Sequence, residues 1–240
     1  MPKQLLLVAA NPSVSSTTKW PVGFWASELI HPYDAFLNKG YGVTIASPRG
    51  GKIELDAYSD PRDPSGYSKD DTLSLRYLND KNFTGLIEKT KNVSDLDSAA
   101  FDGIVVVGGQ SPMFTFREAH NLQSLFLEFH RAGKPSAALC HGTCLLLYLK
   151  NPDGSPFVKG KNMTGFANSE EDFADRAVGQ KLMPFRIEDE AIRLGARFTT
   201  RPAFEPYAVR DGNLITGQQQ HSGGEVARVV ISFLEAGRGI

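Results

Sequence analysis

Cys140 lies in a sequence pattern that is typical of a reactive thiol at a sharp turn. The apolar run 135–139 predicts a buried strand, and residues 145–149 predict a buried helix. A cysteine between the two would occupy a nucleophile elbow, where the crowded backbone requires small residues two positions to either side, and Ala138 and Gly142 meet that requirement. Helix amides beside the sulfur would lower its pKa and could bind an oxyanion. The alternative is an inert cysteine in the core, which is common in apolar strands.

Four further residues could assist such a thiol. His141 follows the cysteine directly, and its ring could act as a base if another group orients it. Glu170 and Glu171 resemble the acidic first turn of a helix, and either could orient His141. Glu28 lies in a predicted helix, where the residue pattern alone indicates a solvent-exposed acid.

Two glycines and a histidine follow other predicted strands. Gly108 and Gly109 end the apolar run 101–109, so their amides could approach a ligand closely or could simply form a tight turn. Beside the elbow, the amides of Gly109 and His141 would form an oxyanion pair. The glycines lack the spacing of a dinucleotide-binding fingerprint. His221 comes after a predicted strand end and could line the same pocket.

Strands and helices alternate along the chain, which predicts the frame that must position these residues. We expect strands over 4–10, 41–47, 101–109, 135–139, 163–166 and a hairpin within 207–217, and helices over 23–37, 69–91, 118–131, 145–149, 187–194 and 225–234. Pro32 should kink the first helix or restart it. The pattern predicts one doubly wound, flavodoxin-like α/β domain over residues 1–240, with a mostly parallel sheet, helices on both faces and ligands at the carboxyl ends of the strands. The long polar segment 48–71 is expected to be an inserted loop or lid.

The composition excludes several classes of protein. The chain has 240 residues, is 41% hydrophobic and 22% charged, and carries a net charge of −1, which gives no electrostatic footprint for nucleic acid or an anionic membrane. No run reaches transmembrane length, and the first apolar run is too short for a signal peptide. Cys144 follows Cys140 by one helical turn and should be a core thiol, which argues against a disulfide and for a reducing compartment. We therefore expect a cytoplasmic enzyme, and the histidine spacing indicates no metal site.

Several motifs in order along the chain resemble the ThiJ/PfpI superfamily, which has the class I glutamine amidotransferase-like fold, and within it the branch of heat-inducible chaperones with glyoxalase III activity. The motifs lie at 23–29, 31–33, 45–51, 108–113, 138–142, 164–166 and 211–218. The resemblance implies that Cys140 is the nucleophile and that Glu28 is hydrogen-bonded to its sulfur. Away from water and beside a thiolate, the pKa of Glu28 would rise, so the carboxyl would donate a proton. The resemblance also implies an acid that completes a Cys–His–acid triad, and Glu171 is our choice by its offset from Phe166.

The resemblance further implies an activity: a glutathione-independent glyoxalase that converts methylglyoxal or related small 2-oxoaldehydes to 2-hydroxy acids. This reaction would need no cofactor and no metal, and the protein would have a role in stress protection. A homodimer is also implied. The expected oxyanion and substrate contacts come from Gly109, His141, Gln110, Trp25 and His221.

The chain departs from the pattern of this branch at positions around the expected pocket. Gln110 and Ser111 stand where the branch often has His-Gly, Thr115 stands where it often has an acid, and 218–222 differ as well. Such changes can alter the substrate while the nucleophile stays the same. One alternative is therefore a cysteine hydrolase or hydratase that acts on an amide, peptide or isonitrile. An alternative of another class is a holding chaperone or a redox sensor whose cysteine is oxidised.

Overall fold

A computed structural model describes residues 2–236 of the chain. In chain order its strands are β1 (Gln4–Val8), β2 (Ser13–Val14), β3 (Pro21–Val22), β4 (Gly42–Ser47), β5 (Lys91–Asn92), β6 (Gly103–Val106), β7 (Ser136–Leu139), β8 (Asn162–Met163), β9 (Arg197–Phe198), β10 (Ala208–Asp211) and β11 (Leu214–Gly217). The α-helices are α1 (Ala26–Asn38), α2 (Thr72–Leu78), α3 (Lys81–Glu88), α4 (Pro112–Thr115), α5 (His120–Arg131), α6 (Cys144–Tyr148), α7 (Asn168–Val178), α8 (Ile187–Arg193) and α9 (Gly223–Ala236).

The central sheet has the order β10–β11–β7–β6–β1–β4–β5. Neighbouring strands from β11 to β5 are parallel, and β10 alone pairs antiparallel, through the hairpin with β11 that Asp211-Gly212 predicts. Gly212 has φ +60°, the left-handed conformation that such a tight turn favours. The mostly parallel α/β sheet of the prediction is therefore confirmed.

Helices cover both faces of the sheet because its strands are apolar on both sides. Along β1, Leu6 and Val8 join one core and Leu5 and Leu7 join the other. Apolar side chains of α5, α6 and α8 fill the first core, and those of α1, α3 and α9 fill the second. This two-sided burial is the usual environment of a parallel sheet.

The predicted helices differ from the observed ones in two places. The first helix begins at Ala26 rather than at residue 23, because Phe24 forms a β-bridge with Leu55. It also continues through Pro32 without a break. The helix expected over 69–91 is two helices, α2 and α3, and an aspartate side chain caps the start of each.

Two predicted strands are shorter than expected. The run 101–109 is a strand only over β6, so Gly108 and Gly109 lie in the loop that follows it. The strand expected over 163–166 was wrong beyond Met163: β8 is a two-residue strand that pairs with β9 outside the central sheet. Segment 48–71 contains one 3₁₀ turn, Ala57–Ser59, among bends and turns, and its role as a lid stays a prediction.

The carboxyl ends of β6, β7 and β11 meet at one edge of the sheet. Ala138 of β7 is in register with Val106 of β6 on one side and with Thr216 of β11 on the other. The loops that follow these three strands therefore converge, as expected for a ligand site in an open α/β sheet. No helix within residues 2–236 has the length and apolar character needed to span a bilayer.

Candidate active site

Cys140 is held in a strained turn between β7 and the following helix. Its φ is +54°, a left-handed conformation that is uncommon for a residue with a side chain and costs about 1–3 kcal/mol. A 3₁₀ turn over Cys140–Thr143 leads into α6, and the Thr143 hydroxyl donates a 2.7 Å hydrogen bond to the Cys140 carbonyl. A Cβ at Gly142 would lie 2.7 Å from the carbonyl oxygen of Val107. Cys140 therefore lies at a sharp strand-to-helix turn that leaves no room for a side chain at Gly142, and its role as a nucleophile stays a prediction.

The ring of His141 lies between the Cys140 sulfur and one carboxylate. Nδ1 is 3.8 Å from Sγ, and Nε2 is 2.9 Å from Oε1 of Glu171. A carboxylate can only accept, so Nε2 carries the proton and Nδ1 is free to accept one from sulfur. The ring of Phe166 packs against the imidazole, with the two centroids 4.2 Å apart. The three residues chosen for the triad therefore form one series of contacts, from Cys140 through His141 to Glu171.

Glu170, the alternative partner of His141, is used elsewhere. One of its oxygens accepts the N–H of Ala167 at 2.9 Å. The other accepts the N–H of Phe204 and the side-chain amide of Gln218, at 3.0 and 2.9 Å. Glu170 therefore fixes the start of α7 and two neighbouring loops, and it leaves Glu171 to contact the histidine.

Glu28 is fully buried on α1, so its interpretation as a solvent-exposed acid was wrong. Its Oε2 accepts the N–H of Gly108 at 2.8 Å, and its carboxyl lies beside the Cys140 sulfur. Oε1 is buried without a hydrogen-bond partner. Burial raises the pKa of Glu28 to about 8, although the Cys140 thiol and the Gly108 N–H oppose the rise. Burial therefore favours the protonated carboxyl, and the role of Glu28 as a proton donor stays a prediction.

The sequence-based expectation of a lowered pKa for the Cys140 thiol was wrong. Burial raises the pKa of this thiol, and the charge of Glu28 raises it further, whereas the His141 amide beside the sulfur lowers it. Helix amides alone do not offset the burial. The resting sulfur is a thiol, and it needs a base to become a nucleophile. Cys144 is a core thiol as predicted, and burial raises its pKa as well.

The loop after β6 approaches the elbow closely at Gly108 and Gly109. A Cβ at Gly108 would lie 2.9 Å from the His141 amide nitrogen and 2.8 Å from Oε2 of Glu28. Gly109 has φ +99° and lines the same cavity as Cys140. The loop therefore packs against the His141 amide, with Gly109 at the cavity wall, and the oxyanion pair of Gly109 and His141 stays a prediction.

Asp56 fixes this loop in place, and the sequence analysis missed it. It is buried, and its two oxygens accept the N–H of Gly23 at 2.8 Å and the N–H of Gln110 at 2.6 Å. Burial raises its pKa to about 6, and those two hydrogen bonds oppose the rise. Two acids, Glu54 and Asp56, alternate with apolar residues there, and the pattern does not show that Asp56 is buried while Glu54 is exposed.

A cavity of about 300 Å³ opens beside the sulfur. Its lining comprises Trp20, Trp25, Tyr58, Ser65, Tyr67, Gly109, Gln110, Cys140, His141, Phe166, Glu171, Phe173, Ala174, Ala177, Val178, Leu182, Met183, Phe204 and Gln220. Trp25 and Gln110 lie there as expected, and Oε1 of Gln110 is a buried acceptor without a partner. His221 was placed wrongly: it lines an adjoining groove with His31 and Asp71, and its neighbour Gln220 lines the cavity instead.

Within residues 2–236, no group of three or more His, Cys, Asp or Glu side chains is placed to hold a metal ion. The titratable groups beside the sulfur are thus paired with each other or with backbone amides, which suits nucleophilic and acid–base chemistry.

The chain is similar in sequence and in fold to known proteins. The sequence profile of the DJ-1/PfpI family matches residues 21–232. Glyoxalase 3 of Candida albicans is 28% identical over 234 residues, which cover 96% of this chain and 97% of the relative. The glutathione-independent glyoxalase of Saccharomyces cerevisiae is 26% identical over 220 residues, with 90% of each chain covered. The crystal structure of glyoxalase III from Candida albicans superposes with a TM-score of 0.80 at 26% identity and covers 96% of this chain and 97% of that one.

Proposed function

Because the chain belongs to the DJ-1/PfpI family, we propose that it is a cysteine-dependent glyoxalase that converts 2-oxoaldehydes such as methylglyoxal to 2-hydroxy acids without glutathione. The proposal rests on one observation: a buried thiol and an imidazole with a carboxylate partner line one cavity, and a second carboxyl, that of Glu28, is buried beside the sulfur. The names of the Candida and Saccharomyces relatives support the same activity.

The reaction begins with addition of the thiol to the aldehyde. The Cys140 sulfur bonds to carbon 1 while its proton passes to Nδ1 of His141, which lies 3.8 Å away and closes on the sulfur during the transfer. The amides of Gly109 and His141 stabilise the oxyanion that forms. Glu171 stabilises the imidazolium, which then returns its proton to the oxygen and gives a neutral hemithioacetal.

The second stage moves a proton within the bound substrate. Carbon 1 loses a proton while the oxygen on carbon 2 gains one, which gives an enediol. A proton is then added at carbon 2 while the hydroxyl on carbon 1 loses its proton, so carbon 1 is oxidised and carbon 2 is reduced within the same molecule. We assign these proton transfers to His141 and Glu28, which both lie beside the sulfur. The partnerless oxygen of Gln110 can accept a hydroxyl of the enediol. The product is a thioester of a 2-hydroxy acid, and water releases it and restores the thiol.

The test compares two thiols of one chain. Purified protein is mixed with methylglyoxal in the absence of glutathione, and lactate is measured. We expect lactate formation that Cys140→Ala abolishes, whereas Cys144→Ala, which removes a core thiol that does not line the cavity, retains it. Absence of lactate with the unaltered protein, or equal activity in Cys140→Ala, would contradict the proposal.

We further propose that the protein works in the cytoplasm as a homodimer, as the resemblance implies, and that segment 48–71 acts as a lid. Tyr58, Ser65 and Tyr67 of this segment line the cavity, which supports the lid. Light scattering of the purified protein tests the dimer.

A further inference from the structure

The cavity is larger and more apolar than methylglyoxal requires. Its volume of about 300 Å³ lies at the lower end of cavities that enclose drug-sized ligands, typically about 300–1,000 Å³. Beyond the reacting groups, its wall continues along α7 and the following loop with Ala174, Ala177, Val178, Leu182 and Met183. A methyl substituent on the oxoaldehyde would leave that end of the cavity unfilled.

Aromatic rings from two parts of the chain flank the opening. On one side Trp25 packs edge-on against Tyr67, with centroids 5.9 Å apart, and Tyr58 lies next to Tyr67. On the other side Phe173 packs edge-on against Phe204, with centroids 5.1 Å apart. Tyr58, Tyr67 and Phe173 are each more than two-fifths exposed, although rings of this size are normally buried. Exposed rings placed around a cavity provide surface that an apolar ligand can cover.

The lining also restricts the charge of the ligand. Among the lining residues, which all belong to the described part of the chain, there is no lysine or arginine, and Glu171 is an acid. A carboxylate or phosphate on the substituent would lose its hydration without gaining a cationic partner, which is costly. The substituent that fits is therefore uncharged.

We infer that the preferred substrates of this site are 2-oxoaldehydes with a bulky, uncharged apolar or aromatic substituent, rather than methylglyoxal. This inference rests on the proposed glyoxalase function and specifies its substrate class. The reacting atoms stay at Cys140 and Gly109, and the substituent lies between the aromatic pairs against α7.

The test is a series of 2-oxoaldehydes that differ only in substituent: methyl, isopropyl, cyclohexyl, phenyl and 4-carboxyphenyl. We expect kcat/KM to rise at least about tenfold from methyl to cyclohexyl and phenyl, because added apolar groups in a fitting pocket contribute about tenfold or more. The 4-carboxyphenyl compound should fall at least about tenfold below phenyl. The saturated cyclohexyl ring separates fit from the higher reactivity of an aryl aldehyde.

Two cavity variants and one control locate the effect. Ala174→Phe fills the half-buried end of the cavity, and Phe173→Ala removes an aromatic wall, so each should lower the cyclohexyl-to-methyl ratio of kcat/KM several-fold. Arg176→Phe adds a ring at an exposed position of the same helix that does not line the cavity, and it should leave the ratio unchanged. Thermal melts confirm that each variant is folded.

The outcomes separate the two proposals. If methylglyoxal is converted but the bulky compounds are converted no faster, or if the cavity variants leave the ratio unchanged, the inference on substituent size is overturned and the glyoxalase function stands. If no compound of the series is converted by the unaltered protein, the glyoxalase function is overturned, and the inference falls with it.

Discussion

Replacing Glu171 by Gln should reduce catalysis while the fold persists. The carboxylate of Glu171 stabilises the imidazolium of His141 across a buried 2.9 Å hydrogen bond. A hydrogen bond to a charged group contributes about 1.5–3 kcal/mol. At about 1.4 kcal/mol per factor of ten, we expect kcat/KM to fall by about ten- to a hundredfold, mainly through kcat. The assay is steady-state conversion of methylglyoxal, with the product measured as lactate.

The adjacent acid provides a matched control. Glu170 is equally buried, but its oxygens bind backbone and amide N–H groups and do not contact His141. Glu170→Gln should therefore lower the free energy of unfolding by about 1–3 kcal/mol and keep most of the activity at temperatures where the variant is folded. The reasoning is refuted if Glu170→Gln loses the activity and Glu171→Gln retains it, or if the Glu171→Gln loss disappears once the folded fraction is corrected for.

Three other perturbations follow from the site. Burial raises the pKa of Glu28 from 4.5 to about 8, so the stability that its proton contributes is complete below pH 4.5 and is lost as the pH rises towards 8. Chemical denaturation of Glu28→Gln should therefore show a smaller loss of the free energy of unfolding over this pH range than the unaltered protein shows. An equal loss in both proteins would contradict the raised pKa. Gly142→Ala places a Cβ 2.7 Å from a carbonyl oxygen, so it should lower the free energy of unfolding by about 1–3 kcal/mol and reduce activity. The control Gly224→Ala has no atom within 4 Å of the new Cβ and should leave the melting temperature unchanged. Asp56→Asn replaces a carboxylate that accepts two buried N–H groups, so it should lower the free energy of unfolding by about 1–3 kcal/mol and should also lower kcat/KM. An unchanged kcat/KM would show that the loop after β6 does not need this anchor.

The sheet was predictable from two local features of the sequence. Continuous apolar runs predicted the buried parallel strands, and the Asp211-Gly212 turn predicted the antiparallel hairpin at the edge. Boundaries failed where tertiary pairing overrode local preference, as at Phe24, which forms a bridge in place of a helical turn. The same holds at 163–166, where the apolar pattern identified buried residues but not their conformation.

Cys140 and His141 could be proposed as site residues from the sequence at the turn after β7, whereas the positions of the carboxyls could not be predicted from the residue pattern. Glu171 was chosen through family resemblance, because sequence gives no way to tell which of two adjacent acids faces a ring. The raised pKa of the Cys140 thiol depends on how deeply the fold buries the sulfur, which spacing does not encode. Asp56 was missed for the same reason: its partners lie 33 and 54 positions away along the chain.

Asp56 anchors the proximal half of segment 48–71. Glu54 and Asp56 are attached to Phe24 by backbone hydrogen bonds, and Asp56 also holds the loop after β6. From residue 60 the segment is held by short-range turns and by a few side-chain contacts: Arg62 and Ser68 donate to the carbonyls of Leu78 and Tyr58, His31 pairs with Asp71, and Gln220 donates to Tyr67 at 3.2 Å. If this segment is the lid that we propose, opening its distal half would break these side-chain contacts and leave the backbone hydrogen bonds of Phe24 and the anchor of the loop after β6 in place.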